Sequence, residues 1–192
     1  DAIAILLLGA FKEKFELLGI STISGNQTVD KTSRNAFNVT RYLNIDVPIA
    51  IGSDKPLLRE RMICEEIHGE SGLDGFTFPK QNYIYSEKKG YELIIENCLS
   101  NDKITIVTTG PMTNLALAMK HEPKILEHIE EIVIMGGSIG EGNMSKYAEL
   151  IVDISHDTAC NSLQFIFRQI PYSCGTVIGV DIGGDLKDKA CE

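Results

Sequence analysis

Two short apolar runs joined through helical sequence, within residues 104–137, constrain the fold of this chain more than any other feature. The first run covers residues 104–108 and ends before a Gly-Pro turn, and the second covers residues 132–135 and ends at a Gly-Gly pair. Between them, the sequence predicts two helices, over residues 112–120 and 123–130. Continuous apolar strands connected through helix are typical of a parallel sheet that is buried on both faces.

The carboxyl ends of these two strands are where a functional site is expected. In open parallel sheets, ligands bind outside the carboxyl ends of the strands. Here those ends are residues 108–110 and 135–137. Any active site should therefore lie near these two turns.

The rest of the chain repeats the order of strand followed by helix. Helices are predicted over residues 2–10, 28–43, 87–99 and 158–167, and strands over residues 17–24 and 48–51. This order predicts an α/β fold with a mostly parallel central sheet flanked by helices. The 192 residues fit one domain, covering residues 1–192.

Two stretches depart from this pattern. Residues 2–10 are apolar, but they are short and no basic segment precedes them, so a buried helix is expected and not a signal peptide. Residues 52–86 form a long polar section with little periodicity. Loops of that length within a compact domain are usually functional or mobile.

Charge, hydropathy and cysteine usage restrict the class of partner. The formal net charge of −9 argues against nucleic acid as the main partner. No apolar run reaches the roughly 20 residues that cross a bilayer, so no membrane association is expected. The five cysteines are scattered without a CxxC pair, which favours a reducing compartment such as the cytoplasm.

Several polar residues lie where chemistry could occur, but each also has an ordinary explanation. Asn26 follows a predicted strand and could simply form a turn. His68 lies in a Gly-rich loop, where most histidines are inert, and Thr109 could cap the next helix. His156 and Asp157 could form a helix N-terminus, where an acidic side chain is favourable. None of these residues predicts a function alone.

Their order along the chain is more informative. The segments are GISTISGNQT, SRNAFNV, VPIAIGSDKPL, HGESG, VTTGPMTNLALA, EIVIMGG and EGN. This series closely resembles the nucleoside hydrolases, the inosine-uridine type of N-ribohydrolases, over roughly residues 1–149. Seven motifs in the family's order are far more specific than a single glycine pattern.

The resemblance implies an activity, a cofactor and a partner. The family hydrolyses the N-glycosidic bond of ribonucleosides to ribose and free base, through an oxocarbenium-like transition state. A calcium ion, which prefers many oxygen ligands, would activate the water and hold the ribose hydroxyls. A general acid would protonate the departing base. The expected partners are a ribonucleoside substrate and further copies of the chain, as a dimer or tetramer.

By the same resemblance, each role falls on particular residues. The residues implied are Asp1, Thr109 and Asp157 as calcium ligands, His156 as the catalytic residue near the leaving base, and Asn26, His68, Met135, Asn143 and Glu149 as substrate-binding residues.

The chain also departs from the family pattern. Asp1 matches only the last Asp of the family's opening D-x-D-P-G-x-D-D motif, so the water-activating Asp of that motif is lacking and very low activity is expected. The match breaks at Ile151, and the pair at residues 156 and 157 arrives early, as if a late internal segment were missing. An incomplete gene model, a splice product and the ordered part of a longer protein all fit this pattern.

Three functions therefore stay open at the level of sequence. The first is a nucleoside N-ribohydrolase, which a D-x-D-P-G-x-D stretch before Asp1 would favour. The second is a catalytically impaired remnant that binds nucleosides or pairs with an intact paralogue. The third is a structural or interaction protein, which calcium would not stabilise because it would not bind the native state.

Overall fold

The structure, a computed structural model, describes residues 1–57 and 60–135. Its helices are α1 Ala2–Ala10, α2 Val29–Tyr42, α3 Glu65–His68, α4 Gly90–Ser100 and α5 Thr113–His121, with a 3-10 helix at Pro123–Glu127; its strands are β1 Ile20–Ser21, β2 Ile49–Ala50, β3 Ile104–Thr108 and β4 Ile129–Ile134. Strand and helix alternate, which confirms the α/β prediction. The helix predicted over residues 158–167 lies outside the described residues.

Strands β3 and β4 form the longer of the two described strand pairs. They run parallel, with Ile106 opposite Ile132, as the two apolar runs predicted. Their inner side chains pack with α4 and α5 around a buried cluster. The buried members are Cys98, Met112, Leu115, Ala118, Met119, Ile125, Ile129 and Ile132.

The connection into β4 differs from the prediction. The expected helix over residues 123–130 is a 3-10 helix of five residues. Pro123 starts it, and the Glu122 side chain accepts a hydrogen bond from the Lys124 backbone N–H. The strand then begins at Ile129, whose side chain is buried in the cluster. Burial of Ile129 therefore ends the helix earlier than the local sequence suggested.

The expectation that both faces of this sheet are buried is wrong for the described part of the chain. Ile104 and Ile106 face the cluster, whereas Thr105 and Val107 are exposed, with Val107 at 53%. The physical reason is that α4 and α5 both pack on the same face of β3.

Strands β1 and β2 are also parallel but have only two residues each, with Ile20 opposite Ile49. The predicted strands were longer. The Thr22 N–H still bonds the Ala50 carbonyl at 3.0 Å, but beyond it the pattern breaks, because Ser24 donates its N–H to the Ser53 carbonyl at 3.0 Å. Phe37 of α2 is 3% exposed and packs on Ile49, so a small apolar cluster covers this pair.

Helix α1 forms where it was predicted, but it is not buried. None of its residues is buried, and Ile3 is 71% exposed. The helix is apolar on all sides, and its close neighbour at Gly9 is the end of α2, through Leu43 and Ile45. One neighbour cannot cover a helix that is apolar all round. No helix in the described ranges has the length and apolar character needed to cross a bilayer.

Candidate active site

A cavity of about 90 Å³ lies at the carboxyl ends of β1 and β3. Of the two turns where the sequence predicted a site, the one after β3 lines this cavity through Thr109 and Gly110. Four of the predicted site residues line it: Asp1, Asn26, His68 and Thr109. The other lining residues are Ile23, Gly25, Gln27, Thr32, Gly72, Gly110 and Pro111. Residues that are distant along the chain are thus brought together around one opening.

The first side of the cavity, here called the β1 wall, is residues 23–27. A tight turn shapes it, because the Gln27 carbonyl accepts both the Gly25 N–H at 3.1 Å and the Ser24 hydroxyl at 3.2 Å. The Thr32 hydroxyl of α2 donates to the Ile23 carbonyl at 2.9 Å. These bonds fix Asn26 at the tip of the turn.

The second side, here called the β3 wall, is residues 109–111. It approaches the β1 wall closely at two glycines. A Cβ added at Gly25 would lie 3.1 Å from Pro111 Cδ, and one added at Gly110 would lie 3.1 Å from Ile23 Cγ2. Larger side chains at either glycine would push the walls apart.

Asn26 and His68 form a direct side-chain pair inside the cavity. The Asn26 Nδ2 atom lies 2.8 Å from His68 Nε2. An amide nitrogen can only donate, so His68 Nε2 is the acceptor of this bond. The other end of the amide, Asn26 Oδ1, is buried and has no hydrogen-bond partner among the described residues. Such an atom costs about 1–3 kcal/mol when it stays unsatisfied, so a ligand donor there would be favourable.

His68 is held over the cavity by three side chains spaced four residues apart, one just before α2 and two within it. Gln27 donates to the Gly69 carbonyl at 2.8 Å, Lys31 pairs with Glu65, and Asn35 donates to the Ser71 carbonyl at 2.9 Å. We call residues 64–72 the His68 loop and these three side chains its latch.

Two further features shape the His68 loop. Its first residue, Cys64, donates its N–H to the Asn26 carbonyl at 2.8 Å. Gly69 and Gly72 adopt φ of +73° and +76°, a region that favours glycine. The loop is therefore fixed both to the β1 wall and to α2.

The latch also changes the ionisation of one carboxyl group. The hydrogen bond from Lys31, together with its charge, lowers the pKa of Glu65 below the ordinary value of 4.5. Glu65 is therefore charged at neutral pH.

The oxygen atoms of Asp1 and Thr109 are of the type that a hard cation binds, but they are too few to complete its coordination shell. Asp1 carries a carboxylate, and Thr109 offers oxygen atoms only, as calcium prefers. Across residues 1–57 and 60–135, no group of three or more His, Cys, Asp or Glu side chains could hold a metal ion. Calcium takes six to eight oxygens, so further ligands would have to come from elsewhere.

Of the remaining predicted site residues, the structure describes only Met135. Met135 does not line the cavity; this residue is 40% exposed, directly after β4, and donates its N–H to the Thr108 carbonyl at 2.9 Å. Asn143, Glu149, His156 and Asp157 lie outside the described residues.

Sequence reasoning missed Gln27 and Thr32, which line the cavity and hold its loops. Gln27 is the neighbour of Asn26 in the GNQT segment, so that segment already held the signal. Thr32 had a weaker signal, because its role depends on a carbonyl in another element.

The order of strands and helices, with a cavity at the carboxyl ends of parallel strands, places this chain in the class of α/β proteins whose ligand sites lie at that edge of the sheet. The sequence model of the inosine-uridine preferring nucleoside hydrolases matches residues 1–170. The chain therefore belongs to the nucleoside hydrolase family.

Individual relatives agree with this assignment. The pyrimidine-specific ribonucleoside hydrolase RihB of Escherichia coli is 42% identical over 150 residues, which are 78% of this chain and 48% of RihB. A purine-preferring ribonucleoside hydrolase from Gardnerella vaginalis superposes with a TM-score of 0.76 at 28% identity, over 86% of this chain and 53% of that one. A plant nucleoside hydrolase, PpNRh1, superposes at 0.77 with 25% identity, over 94% and 56%. The chain spans about half the length of the curated relatives it matches.

Proposed function

We propose that this protein hydrolyses the N-glycosidic bond of ribonucleosides, releasing ribose and the free base. One observation carries the proposal: in a chain of this family, Asp1, Asn26, His68 and Thr109 converge on one cavity. Inosine and uridine are the natural first substrates to test, because the relatives include both purine-preferring and pyrimidine-specific hydrolases.

The roles of the substrate-binding residues follow from the geometry and from the family. The Oδ1 atom of Asn26 is buried and has no hydrogen-bond partner among the described residues, and a ribose hydroxyl is a donor that would satisfy it. His68 lies beside Asn26 and is proposed to approach the base. Met135, Asn143 and Glu149 are proposed to complete the grip on the ribose, and His156 to act near the leaving base, by family resemblance.

Calcium is the proposed cofactor. Asp1 and Thr109, with Asp157, would hold it. When bound, it would supply Lewis-acid activation of water and a hold on ribose hydroxyls. The oxygen donors of Asp1 and Thr109 support this proposal, because they suit a hard cation.

The experiment is an assay of ribose release from inosine and uridine by the purified protein, with calcium and with a chelator. We expect slow hydrolysis that depends on calcium. Nucleoside binding without ribose release would overturn the hydrolase proposal, and release that is unchanged by the chelator would overturn the calcium proposal.

A pair of asparagine variants locates the activity in the cavity. Asn26→Ala should lower kcat/KM by about 10²-fold, because it removes a ribose contact that also positions His68. Asn101→Ala is the control: this residue caps the C-terminal end of α4, away from the cavity, where it bonds the Asn97 carbonyl at 2.8 Å. Equal losses in both variants would count against the site.

Two further parts of the proposal concern assembly and location. A homo-oligomer, dimer or tetramer, is supported by the exposed apolar residues of α1, with Leu7 at 54%, and light scattering would test it. A cytoplasmic location is supported by Cys64 and Cys98, which are free thiols. Fractionation of the source cells would test that location.

A further inference from the structure

Asn114 is a buried polar residue that the proposed chemistry does not use. It is the second residue of α5, three positions beyond the β3 wall, and it is 5% exposed. Most buried amides are hydrogen-bonded, because an unpaired polar group costs free energy when it is removed from water. The hydrogen-bond partners of Asn114 all lie in β1 or shortly after β1 and β2, and not in the β3–β4 part of the chain.

The amide of Asn114 makes three hydrogen bonds. Its Nδ2 donates to Ser21 Oγ and to the Thr22 carbonyl, both at 2.8 Å. Its Oδ1 accepts the Ser53 N–H at 2.9 Å. Ser21 ends β1 and Thr22 follows it directly, whereas Ser53 follows β2. One side chain thus binds the carboxyl ends of two strands to the start of the helix that follows a third.

Two glycines make room for this amide and fix its orientation. A Cβ at Gly52 would lie 2.1 Å from Asn114 Nδ2, and a Cβ at Gly90 would lie 2.9 Å from it. No other residue type fits at either position without displacing the amide. The surroundings are therefore built around Asn114.

The contacts of Asn114 lead directly to the cavity. Thr22 immediately precedes the β1 wall, and the Ser53 carbonyl accepts the Ser24 N–H of that wall at 3.0 Å. On the other side, α5 begins two residues after Pro111 of the β3 wall. Among the described strands, no ladder joins the β1–β2 pair to the β3–β4 pair.

We propose that Asn114 is a positioning residue that sets the spacing between the β1 wall and the β3 wall of the nucleoside cavity. It acts through Thr22 and Ser53 and does not itself line the cavity. The proposal rests on the proposed hydrolase function for its kinetic part. Its structural part is independent of activity.

The test is the near-isosteric variant Asn114→Asp. It replaces the two N–H donors by an oxygen that faces the Thr22 carbonyl, so the walls should shift. Misplacement of this kind can cost about 10²-fold, and we expect that loss in kcat/KM, divided between a higher KM and a lower kcat. A merely structural role would lower the amount of active enzyme and leave KM unchanged.

The control is Thr40→Val, at a residue that is 2% exposed and whose hydroxyl bonds the carbonyls of Ala36 and Phe37 within α2. It lowers stability without touching the walls, so KM should stay at the wild-type value. A KM that rises equally in both variants would overturn the proposal.

Amide hydrogen exchange tests the structural part without any substrate. In Asn114→Asp, the Ser24 amide should exchange about tenfold faster, since its bond to Ser53 is loosened, while the Met119 amide stays protected. Unchanged exchange at Ser24 would overturn the proposal. If Ser24 exchanges faster in Asn114→Asp but the wild-type protein releases no ribose, the role of Asn114 in positioning the walls is kept and the hydrolase function is rejected.

Ser21→Ala decides the question if Asn114→Asp does not fold. This variant removes one of the three hydrogen bonds and leaves the amide in place. We expect about threefold faster Ser24 exchange and a smaller rise in KM. Wild-type values for both would overturn the proposal.

Discussion

The two halves of the described chain are held together by different forces. The β3–β4 half has strands of five and six residues and a continuous apolar cluster with Leu115 and Met119 at its centre. The β1–β2 half has strands of two residues, and its buried residues include Thr22, Ser24, Gln27 and Ser33. The hydroxyls of Thr22 and Ser33 lie 2.7 Å apart.

This difference matches a division of roles. Apolar burial is not directional, so the β3–β4 half gains stability from it but little specification of polar geometry. Directed hydrogen bonds specify the positions of the partners they join. The β1–β2 half supplies most of the cavity lining, including Asn26 and Gln27. The β3–β4 half thus contributes mainly stability, and the β1–β2 half mainly the defined positions of polar groups around the cavity.

The largest expected effect comes from the apolar half. Leu115→Ala removes a side chain that is 2% exposed, and the loss of burial together with the cavity should lower the free energy of unfolding by about 2–5 kcal/mol. Urea denaturation measures it. Val107→Ala, on the exposed face of β3, is the control and should change it by less than about 1 kcal/mol. Similar losses of unfolding free energy in the two variants would contradict an apolar cluster that packs on only one face of β3.

A smaller effect is expected from crowding in the polar half. Gly52→Ala would place a Cβ 2.1 Å from the Thr22 carbonyl oxygen, so the strand end must move. We expect about 1–3 kcal/mol of destabilisation and a loss of nucleoside binding, measured by calorimetry. Gly75→Ala is the comparison, because a Cβ there meets nothing within 4 Å and only φ of +97° is strained. That variant should retain binding, and loss of binding in it would show that the cavity responds to any destabilisation.

A third prediction concerns the latch and acidity. Because Lys31 lowers the pKa of Glu65 in the folded state, the contribution of this pair is fully present above the ordinary pKa of 4.5. It is lost as the pH falls through the lower folded value. Amide exchange of the His68 loop, corrected for its intrinsic pH dependence, should therefore accelerate below about pH 4.5. Lys31→Met should remove this acid response, and a response that persists in the variant would assign it to other groups.

The smallest expected effect is a difference in alkylation rate between two thiols, one from each half of the described chain. Burial raises the pKa of Cys98 to about 11, and burial together with Glu66 raises the pKa of Cys64. Both thiols should react slowly near pH 8. Cys64 begins the His68 loop, so local opening of that loop should expose its thiol first. The Cys98 thiol is buried in the apolar cluster and should become exposed only when the β3–β4 half unfolds. Peptide mapping after alkylation gives both rates, and faster labelling of Cys98 would reverse the comparison.

The same contrast explains what the sequence could predict. The parallel β3–β4 pair follows from two apolar runs, because burial leaves a clear pattern in the residues. The ends of β1 and β2 were predicted too long, since Ser24 bonds to Ser53 outside the ladder and no local signal marks that exchange. Exposure of Ile3 could not be predicted either, because an apolar helix does not specify what covers it.

Prediction of the candidate site divides in a similar way. The family's motif order identified Asn26, His68 and Thr109, which the structure places around one cavity. The latch was missed because Gln27 and Asn35 bond backbone carbonyls of the His68 loop. Every residue has a carbonyl, so the partner of such a bond leaves no trace in the sequence.

The pairing of Asn26 with His68 has a consequence for ligand selectivity. With Nδ2 committed to the imidazole, the end of the amide that remains can only accept. A ligand group that reaches it must therefore carry a hydrogen. A free hydroxyl of the proposed nucleoside substrate meets that requirement, whereas a methyl ether or a deoxy position does not.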